Sequence, residues 1–250
     1  DPESLADFVR IMRENHSCTS FGIATGRRLD SALSIMRRYG IPRPDVLITA
    51  LGTEIYYAPQ LTADHAWMRH IDHLWYPRRV RDALADLPGI QRQPGKEQSR
   101  FKVSFYIDPE NAPCLEELSS ILHQADLSVN LFLSFGQFLD VVPARASKGL
   151  ALRYVADQYG IPLEHCLAAG GSGADEDMMR GNTLAVVVAN RHHEELSRLT
   201  DTESIYFAEK PFAAGILEAI AHYRFFDACQ VPLDPSDVRD STRRTAQPSP

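Results

Sequence analysis

Three short segments carry groups that could bind a phosphate ester. Thr25 and Gly26 offer a hydroxyl and a backbone N–H to phosphate oxygens, and Lys148 adds a positive charge at the start of a predicted helix, where the helix dipole also favours an anion. A glycine-rich acidic turn occupies residues 170–175. Each segment lies at the end of an element in a predicted doubly wound sheet, and such sheets bind ligands beyond the carboxyl ends of their strands. We therefore expect the three segments to converge into one phosphate-binding site.

The turn at 170–175 is the candidate metal site. Phosphoryl transfer to a carboxylate needs a nucleophilic Asp and a Mg²⁺ ion held by oxygen ligands. Asp175 can reach a metal or its waters, whereas Gly171 supplies no ligand. Glu176 and Asp177 are predicted to lie on the exposed first turn of the following helix, where the dipole favours carboxylates in any case. Within this turn Asp175 is therefore the candidate residue to contact a metal or its waters.

Helices and strands alternate towards both ends of the chain, which is typical of an α/β sheet with helices on its faces. Asp1 as an N-cap and Pro2 at the first helical position predict that the chain begins on a helix. A helix in this place of an α/β unit normally follows a strand. The opening helix therefore indicates that a strand of the unit is missing.

The sequence changes in character between residues 59 and 141. An alternating strand, a helix and two further strand-like runs predict an inserted α+β module there. The insert divides the α/β core into a first part at 1–58 and a second part at 142–227. Residues 228–250 are rich in polar residues and Pro, so we predict a disordered tail.

Composition excludes several classes of partner. The chain has 250 residues, of which 44% are hydrophobic, and a net charge of −7 with dispersed basic residues, which argues against a nucleic acid or an anionic membrane surface. No apolar run approaches the roughly 20 residues of a membrane span. The four cysteines are widely spaced, which is typical of reduced thiols in a cytoplasmic protein. We therefore expect the protein to bind a small soluble ligand. We also expect it to be located in the cytoplasm.

The motifs of this chain resemble those of a known family. In order and content they are similar to the sucrose-6-phosphate phosphatases, and more closely to the phosphatase-like C-terminal domain of bacterial sucrose-phosphate synthases, within the haloacid dehalogenase superfamily. The resemblance runs from Asp1 to about Phe226. The segments that carry it are ATGR at 24–27, LGTEIYY at 51–57, QSRFKVSFY at 98–106 and LDVVPARASKG at 139–149. The first and last are signals of the superfamily, and the middle two are closer to the sucrose phosphatases.

The resemblance implies a Rossmann-like core with an inserted α+β cap of type IIB that closes over a sugar. It also implies Mg²⁺-dependent hydrolysis of sucrose 6-phosphate through an aspartyl-phosphate. On this basis Thr25 and Lys148 would bind the phosphate and Asp175 would lie near the Mg²⁺. Gln98 and Lys102 of the cap would contact the sugar.

Two departures from the family pattern bear on activity. Family members carry a DxDxT motif at the end of the first core strand, so the nucleophilic Asp is expected upstream of Asp1. Because that strand is central in the sheet, we predict a gap or a distortion in its place. Family members also carry GDSGND in the glycine-rich turn, where this chain has Gly171 and Ala174 at the positions of the first Asp and the Asn. The resemblance therefore predicts an impaired phosphatase.

The sequence leaves three functions open. The favoured one is a phosphatase-like domain of sucrose biosynthesis that forms the C-terminal part of a sucrose-phosphate synthase, linked covalently to an upstream glycosyltransferase domain. The second is a non-catalytic domain that binds the sugar phosphate or regulates the synthase. The third is a phosphatase for another sugar phosphate, such as mannosyl-3-phosphoglycerate or trehalose phosphate. Whether the chain is an active enzyme is left open.

Overall fold

The computed structural model describes residues 1–192, 196 and 204–227 of the chain. The first helix, α1 (Pro2–Glu14), begins as predicted, because the carboxylate of Asp1 accepts hydrogen bonds from the backbone N–H groups of Glu3 and Ser4. It packs against the last described helix, Phe212–His222. The two ends of the described chain therefore lie side by side.

Four strands form the first sheet, in the order β1-β2-β3-β4. β1 (Gly22–Ala24) and β2 (Val46–Thr49) run parallel, with α2 (Leu29–Tyr39) as the crossover between them. β3 (Glu54–Tyr57) and β4 (Thr62–Ala63) extend the sheet in antiparallel register. The parallel pair agrees with the sequence pattern, whereas the antiparallel extension was not predicted.

The inserted segment forms an antiparallel sheet with its last two helices packed against it. Its strands are paired in the order β5-β6-β8-β7. Its helices and strands are α3 (His65–Ile71), α4 (Pro77–Leu84), β5 (Ile90–Arg92), β6 (Val103–Ile107), α5 (Leu115–Gln124), β7 (Val129–Ser134) and β8 (Phe138–Pro143). Leu84 of α4 and Leu122 of α5 share one buried apolar cluster with Phe105 and Leu139 of the sheet. The exact division between core and insert, at 58/59 and 141/142, stays a prediction, and β8 extends slightly beyond it.

A second core sheet contains only parallel strands. α6 (Lys148–Tyr159) leads into β9 (Leu167–Gly170), and β10 (Leu184–Val187) and β11 (Ile205–Phe207) follow in the order β11-β10-β9. The helix Phe212–His222, here α7, follows β11. The helix predicted between β10 and β11 falls largely outside the described residues, as does the predicted tail at 228–250.

The sequence predicts a single sheet of parallel strands, but the structure divides these strands between two sheets. Among the described residues β1 pairs only with β2, and β9 pairs only with β10, so β1 and β9 are edge strands. This confirms the predicted gap in the core sheet. The upstream strand that we expect to fill the gap stays a prediction.

One expectation about the cysteines is wrong. Cys18 is disulfide-bonded in the structure, whereas Cys114 and Cys166 are free thiols. Spacing along the chain does not reveal which cysteines meet in the fold, so the sequence could not indicate this bond. Over the ranges that the structure describes, no helix is long and apolar enough to cross a bilayer. The cytoplasmic location stays a prediction.

Candidate functional site

A buried ion pair joins Lys148 and Asp175. Lys148 Nζ lies 2.6 Å from Asp175 Oδ1, and the two side chains are 8% and 12% exposed. The other oxygen, Asp175 Oδ2, accepts hydrogen bonds from Gly171 N and Ser172 N at 3.0 Å and from Ser172 Oγ at 2.9 Å. Burial alone would raise the pKa of Asp175, but the charge of Lys148 and these hydrogen bonds outweigh it, so the pKa lies below its ordinary value. The structure therefore brings Lys148 into contact with the glycine-rich turn.

The start of α6 fits closely against a 3-10 helix, Gly173–Met178, that follows the glycine-rich turn. Gly149 N donates to Asp177 Oδ2 at 2.9 Å, and Arg153 Nη2 donates to the carbonyl of Asp177 at 2.9 Å. The expectation that Asp177 lies on an exposed turn is therefore wrong, because its carboxylate caps α6. The same expectation is wrong for Glu176, whose side chain is only 23% exposed and forms an ion pair with Arg180 four residues further on.

We expect Gly149→Ala to lower the free energy of unfolding by about 1–3 kcal/mol. A Cβ at this position would lie 2.4 Å from the backbone oxygen of Asp177 and 2.5 Å from its carbonyl carbon, so α6 would have to shift. Gly95→Ala is the matched control, since a Cβ there meets nothing within 4 Å. Urea unfolding of both variants measures the difference, and equal free energies would contradict the close fit of α6 on the 3-10 helix.

Thr25 and Gly26 lie in the turn after β1, and a second turn links them to Lys148. Leu51 N donates to Thr25 O at 3.1 Å. The next residue, Gly52, lies against the start of α6, where a Cβ added to it would be 2.8 Å from Lys148 N. Thr25 and Lys148 are thus held on either side of the same turn, at the carboxyl edge of the first sheet.

That second turn consists of three successive residues with positive φ. The φ angles are 48° at Ala50, 61° at Leu51 and 87° at Gly52. A left-handed conformation costs about 1–2 kcal/mol for a residue with a Cβ, and such strain persists where the surroundings hold it, often at functional sites. Gly52 is required for a second reason, because a Cβ would lie 2.0 Å from Ser147 O. The turn fixes the Thr25 segment against α6.

Gln98 and Lys102 lie in the insert and are held by different partners. The Gln98 carboxamide donates to Gln93 O at 3.0 Å and Ser104 O at 2.9 Å, and it accepts from Ser104 N at 3.0 Å. Lys102 is buried, and its Nζ lies 3.1 Å from Asp140 Oδ1, which also accepts from Ser104 Oγ. Lys102 therefore belongs to a buried polar cluster of Lys102, Ser104 and Asp140. Contact of Gln98 and Lys102 with a sugar stays a prediction.

Asp140 and Ser104 were not predicted as members of this site. Asp140 interrupts an apolar run between Leu139 and Val141, and a charge at a buried strand position indicates a paired partner. That signal was present in the sequence. The partner could not be read from it, because the register that sets Ser104 opposite Asp140 is a property of the folded sheet.

The insert contacts the core beside the Thr25 segment. Arg28 stands just before α2, and its Nη1 donates to the carbonyls of Lys96 at 3.2 Å and Gln98 at 3.4 Å. The backbone that carries Gln98 is thereby tied to the core close to Thr25. Arg28 was not predicted as a site residue, since nothing in a lone arginine indicates which carbonyls it will meet.

The insert also contacts the core beside the glycine-rich turn. β7 packs next to the 3-10 helix Gly173–Met178. The ring of Phe135, at the tip of the β7–β8 hairpin, lies 6.3 Å from the ring of His192, and His192 N donates to Gly171 O at 2.7 Å. Together with the Arg28 contact, these neighbours place the insert over the edge of the core that carries Lys148.

The described residues do not by themselves fit a Mg²⁺ ion. The two oxygens of Asp175 already accept four hydrogen bonds, from Lys148, Gly171 and twice from Ser172. Within the part of the chain that the structure describes, no three His, Cys, Asp or Glu side chains are grouped as a metal site would need. Mg²⁺ demands near-octahedral oxygen ligation, which one engaged carboxylate does not provide. Asp175 as a metal ligand stays a prediction.

Comparison with known sequences links this arrangement to sugar-phosphate phosphatases. The family model described as sucrose-6F-phosphate phosphohydrolase matches residues 1–224. The probable sucrose-phosphatase 3b of Arabidopsis thaliana is 33% identical over 208 residues, which are 79% of this chain and 48% of that protein. The mannosylfructose-phosphate phosphatase of Agrobacterium fabrum is 26% identical over 200 residues, 80% of this chain and 81% of that protein. The chain thus spans about half the length of the plant relative.

Comparison with solved structures supports the same link. The sucrose-phosphatase of Synechocystis, solved in complex with sucrose and phosphate, superposes with a TM-score of 0.83 at 26% identity and covers 90% of this chain and 92% of that one. Its likeness, and that of sugar phosphatases of subclass IIB, confirms the predicted α/β fold of the haloacid dehalogenase superfamily. The inserted α+β sheet described above is therefore the type IIB cap, and we call it the cap from here on.

Proposed function

Since the chain belongs to the sucrose-6F-phosphate phosphohydrolase family, we propose that it is a sucrose-6-phosphate phosphatase-like domain of sucrose biosynthesis. Its ancestral reaction is Mg²⁺-dependent hydrolysis of the phosphate ester through an aspartyl-phosphate, and this chain performs that reaction poorly. The observation that carries the proposal is the buried Lys148–Asp175 pair, which lies beside a turn with Gly171 and Ala174 where the family has oxygen-bearing side chains.

Lys148 supplies the charge that binds the phosphate in this proposal. One of its three N–H groups is directed at Asp175, so two remain for phosphate oxygens. Lys148 is also the first residue of α6, where the helix dipole favours an anion. Thr25 and Gly26 complete the phosphate site. Thr25 Oγ1 accepts a hydrogen bond from Arg27 N at 3.2 Å, which leaves its own hydrogen for donation.

Two cap residues, Gln98 and Lys102, recognise the sugar in this proposal. Lys102 has N–H groups beyond the one directed at Asp140 and can donate to sugar hydroxyls. The carboxamide of Gln98 is engaged in three hydrogen bonds with Gln93 and Ser104. Gln98 therefore contributes mainly by fixing β6, which begins directly after Lys102.

A non-catalytic domain that binds the sugar phosphate is the second candidate. The engagement of both Asp175 oxygens by protein donors favours it, because a carboxylate so held is a poor metal ligand. Such a domain would regulate or stabilise an attached enzyme. From the overall resemblance to the phosphatase-like C-terminal domain of bacterial sucrose-phosphate synthases, we further propose that the chain is the C-terminal part of such a synthase, with a glycosyltransferase domain upstream as its covalent partner.

A phosphatase-like domain for another sugar phosphate is the third candidate. The relative from Agrobacterium fabrum is a mannosylfructose-phosphate phosphatase, and it aligns with most of this chain. Mannosylfructose phosphate contains a fructose-bearing disaccharide, as sucrose 6-phosphate does. Mannosyl-3-phosphoglycerate and trehalose phosphate complete the set of substrates that a test must include.

A calorimetric titration of the full-length gene product with these ligands tests the proposal. We expect sucrose 6-phosphate to bind most tightly, and sucrose without phosphate to bind at least about a hundredfold more weakly. The reason is that each charge-assisted hydrogen bond to the phosphate contributes about 1.5–3 kcal/mol. Tighter binding of mannosylfructose phosphate would move the assignment to that substrate. Equal affinity for sucrose and its phosphate would refute the phosphate site.

A further inference from the structure

Arg28 makes a contact that spans the core and the cap. Its Nη1 carries two N–H groups, and two backbone carbonyls of the cap lie within reach of this nitrogen, that of Lys96 at 3.2 Å and that of Gln98 at 3.4 Å. These partners are 68 and 70 positions away along the chain. Because a guanidinium is always charged, both hydrogen bonds are charge-assisted. One side chain thus connects the two parts of the fold.

The backbone that carries Arg28 is fixed in the core. Arg28 is the N-cap residue of α2, and its carbonyl accepts a hydrogen bond from Ala32 N at 2.9 Å. The carbonyl of Arg27, directly before it, accepts from Ala50 N at 2.8 Å. Thr25, which belongs to the proposed phosphate site, is only three positions earlier. The Arg28 side chain therefore starts from a rigid point beside that site.

The two carbonyls belong to residues 95–102 of the cap, which we call the Gln98 loop. This loop is itself bonded to the rest of the cap. The carboxamide of Gln98 makes three hydrogen bonds to backbone groups on either side of the loop, and Trp75 Nε1 donates to Arg100 O at 2.9 Å. Lys102 is the last residue of the loop. A restraint on the backbone at Gln98 is therefore also a restraint on Lys102 and on the start of β6.

The contact of Arg28 differs in kind from the other contact between cap and core. Domains that are joined by linkers move relative to each other unless contacts hold them. On the side of the glycine-rich turn, the rings of Phe135 and His192 meet with their centroids 6.3 Å apart, and a ring contact at this distance tolerates a range of positions. Hydrogen bonds weaken steeply with distance and angle. Arg28 therefore restricts the position of the cap more narrowly.

A guanidinium beside a phosphate site could instead bind the phosphate. The side chain of Arg28 is 41% exposed, and its Nε lies 3.9 Å from Asp30 Oδ1, in an exposed pair that contributes little. The two cap carbonyls are closer than this carboxylate. The geometry therefore favours a role in holding the cap over a role as a phosphate ligand, and the two roles differ in a measurable way.

We propose that Arg28 is a positioning residue, which holds the Gln98 loop and with it the cap over the phosphate site. The inference rests on the proposed function, because the role affects binding only if a sugar phosphate contacts both the core and the cap. A cap that is already held in place loses less freedom when the ligand binds, so the affinity for such a ligand is higher. Inorganic phosphate does not reach the cap, so its affinity does not depend on Arg28.

Titrations of the full-length gene product with sucrose 6-phosphate and with inorganic phosphate test the inference. Arg28→Met keeps the apolar stem but removes the donors. We expect it to weaken the binding of sucrose 6-phosphate about fivefold to tenfold, since the two lost bonds are partly exposed to water, and to leave the affinity for inorganic phosphate unchanged. An equal loss for both ligands would overturn the inference, because it would make Arg28 a phosphate ligand. Unchanged affinity for both ligands would overturn it as well.

Amide hydrogen exchange gives a readout that needs no ligand. Within the Gln98 loop, Glu97 N donates to Pro94 O at 2.9 Å and Gln98 N donates to Gly95 O at 3.2 Å. We expect Arg28→Met to speed the exchange of these two amides at least about threefold, because the loop loses its attachment to the core, and to leave the amides of α4 unchanged. Equal exchange in the variant and the wild type would contradict the attachment, even if sugar-phosphate binding were weaker.

Arg43→Met is the matched control. Arg43 Nη1 also donates to a backbone carbonyl, that of Pro59 at 2.6 Å, but Pro59 lies between β3 and β4 of the first core sheet. This variant should change neither affinity nor the exchange of the Gln98 loop, and thermal melting verifies that both variants are folded. The same effects in Arg43→Met would overturn the inference, because they would not depend on the contact with the cap. Failure of the wild type to bind either ligand would instead overturn the proposed function, and the exchange experiment would still test the attachment.

Discussion

Changing Gly171 to Asp and Ala174 to Asn together in the full-length gene product should raise Mg²⁺-dependent phosphate release from sucrose 6-phosphate by at least about a hundredfold. A second carboxylate in the turn would supply the hard oxygen ligand that Mg²⁺ requires, and a bound metal contributes several kcal/mol of charge stabilisation to phosphoryl transfer. Each 1.4 kcal/mol corresponds to about tenfold in rate. Phosphate release at saturating Mg²⁺ and substrate, with and without the double change, measures the effect.

The two positions differ in how well they accept the change. A Cβ at Gly171 would lie 3.2 Å from Val188 Cγ2 and 3.3 Å from Arg191 Cα, so a small shift admits a side chain. Ala174 is only 2% exposed and belongs to the main apolar cluster, so an amide there costs about 1–3 kcal/mol of stability unless it finds a partner. We therefore expect the double variant to melt at a lower temperature than the wild type, although it turns over faster.

Gly171→Ala is the matched control for this experiment. It adds the same Cβ without a carboxylate, and it should leave both Mg²⁺ affinity and phosphate release at the level of the wild type. Calorimetric titration with Mg²⁺ gives a readout besides activity, since Gly171→Asp should bind the metal more tightly than Gly171→Ala. Equal metal affinity in these two variants would contradict the idea that position 171 lacks a ligand.

Lys148→Met should lower the free energy of unfolding by about 3–5 kcal/mol at neutral pH. The change keeps most of the apolar volume but leaves the buried carboxylate of Asp175 without its counter-ion, and removing one partner of a buried pair has a cost of this size. Arg10→Ala is the control, because Arg10 pairs with Glu14 on the surface, where both side chains are more than half exposed. Its loss should cost less than about 1 kcal/mol. Urea unfolding of the three proteins provides the comparison.

The same pair predicts how stability depends on pH. Burial of Asp175 raises its pKa, but the positive charge and hydrogen bond of Lys148 and three further hydrogen bonds from the turn lower it by more. The folded-state pKa of Asp175 therefore lies below its ordinary value of 3.8. A depressed carboxyl pKa contributes stability that is fully present above about pH 4 and is lost as the pH falls through the folded pKa. The stability of the wild type should therefore fall more steeply below about pH 4 than that of Asp175→Asn. Parallel acid unfolding curves would contradict the depressed pKa.

The elements around the site could be predicted because their signals are local. Gly40 and Gly160 end α2 and α6 in left-handed conformations with φ of 65° and 64°, as a glycine after an amphipathic run indicates. Ser147 caps α6 through its side chain. Short-range patterns of this kind place Thr25 at the end of a strand and Lys148 at the start of a helix. Because the sheet is of the α/β type, these ends meet at the carboxyl edge of its parallel strands.

Pairings between distant residues could not be predicted. Asp177 caps α6 from 28 positions away, and Lys102 meets Asp140 across 38 positions. Periodicity tells which side chains are buried, but the choice among buried partners depends on strand register and on the approach of one element to another. β3, β4 and β5 are too short for an alternating pattern to stand out.

Phosphate release by the unaltered full-length gene product is the most direct test of whether this domain binds its substrate without efficient turnover. Sucrose 6-phosphate is added at a concentration that the titration shows to be saturating, with Mg²⁺ in excess, and released phosphate is followed over time. We predict saturable binding with release more than about a hundredfold slower than the roughly 1 s⁻¹ of slow ordinary enzymes. Release at an ordinary enzymatic rate would contradict this, because it would show that another group replaces the ligands absent at Gly171 and Ala174.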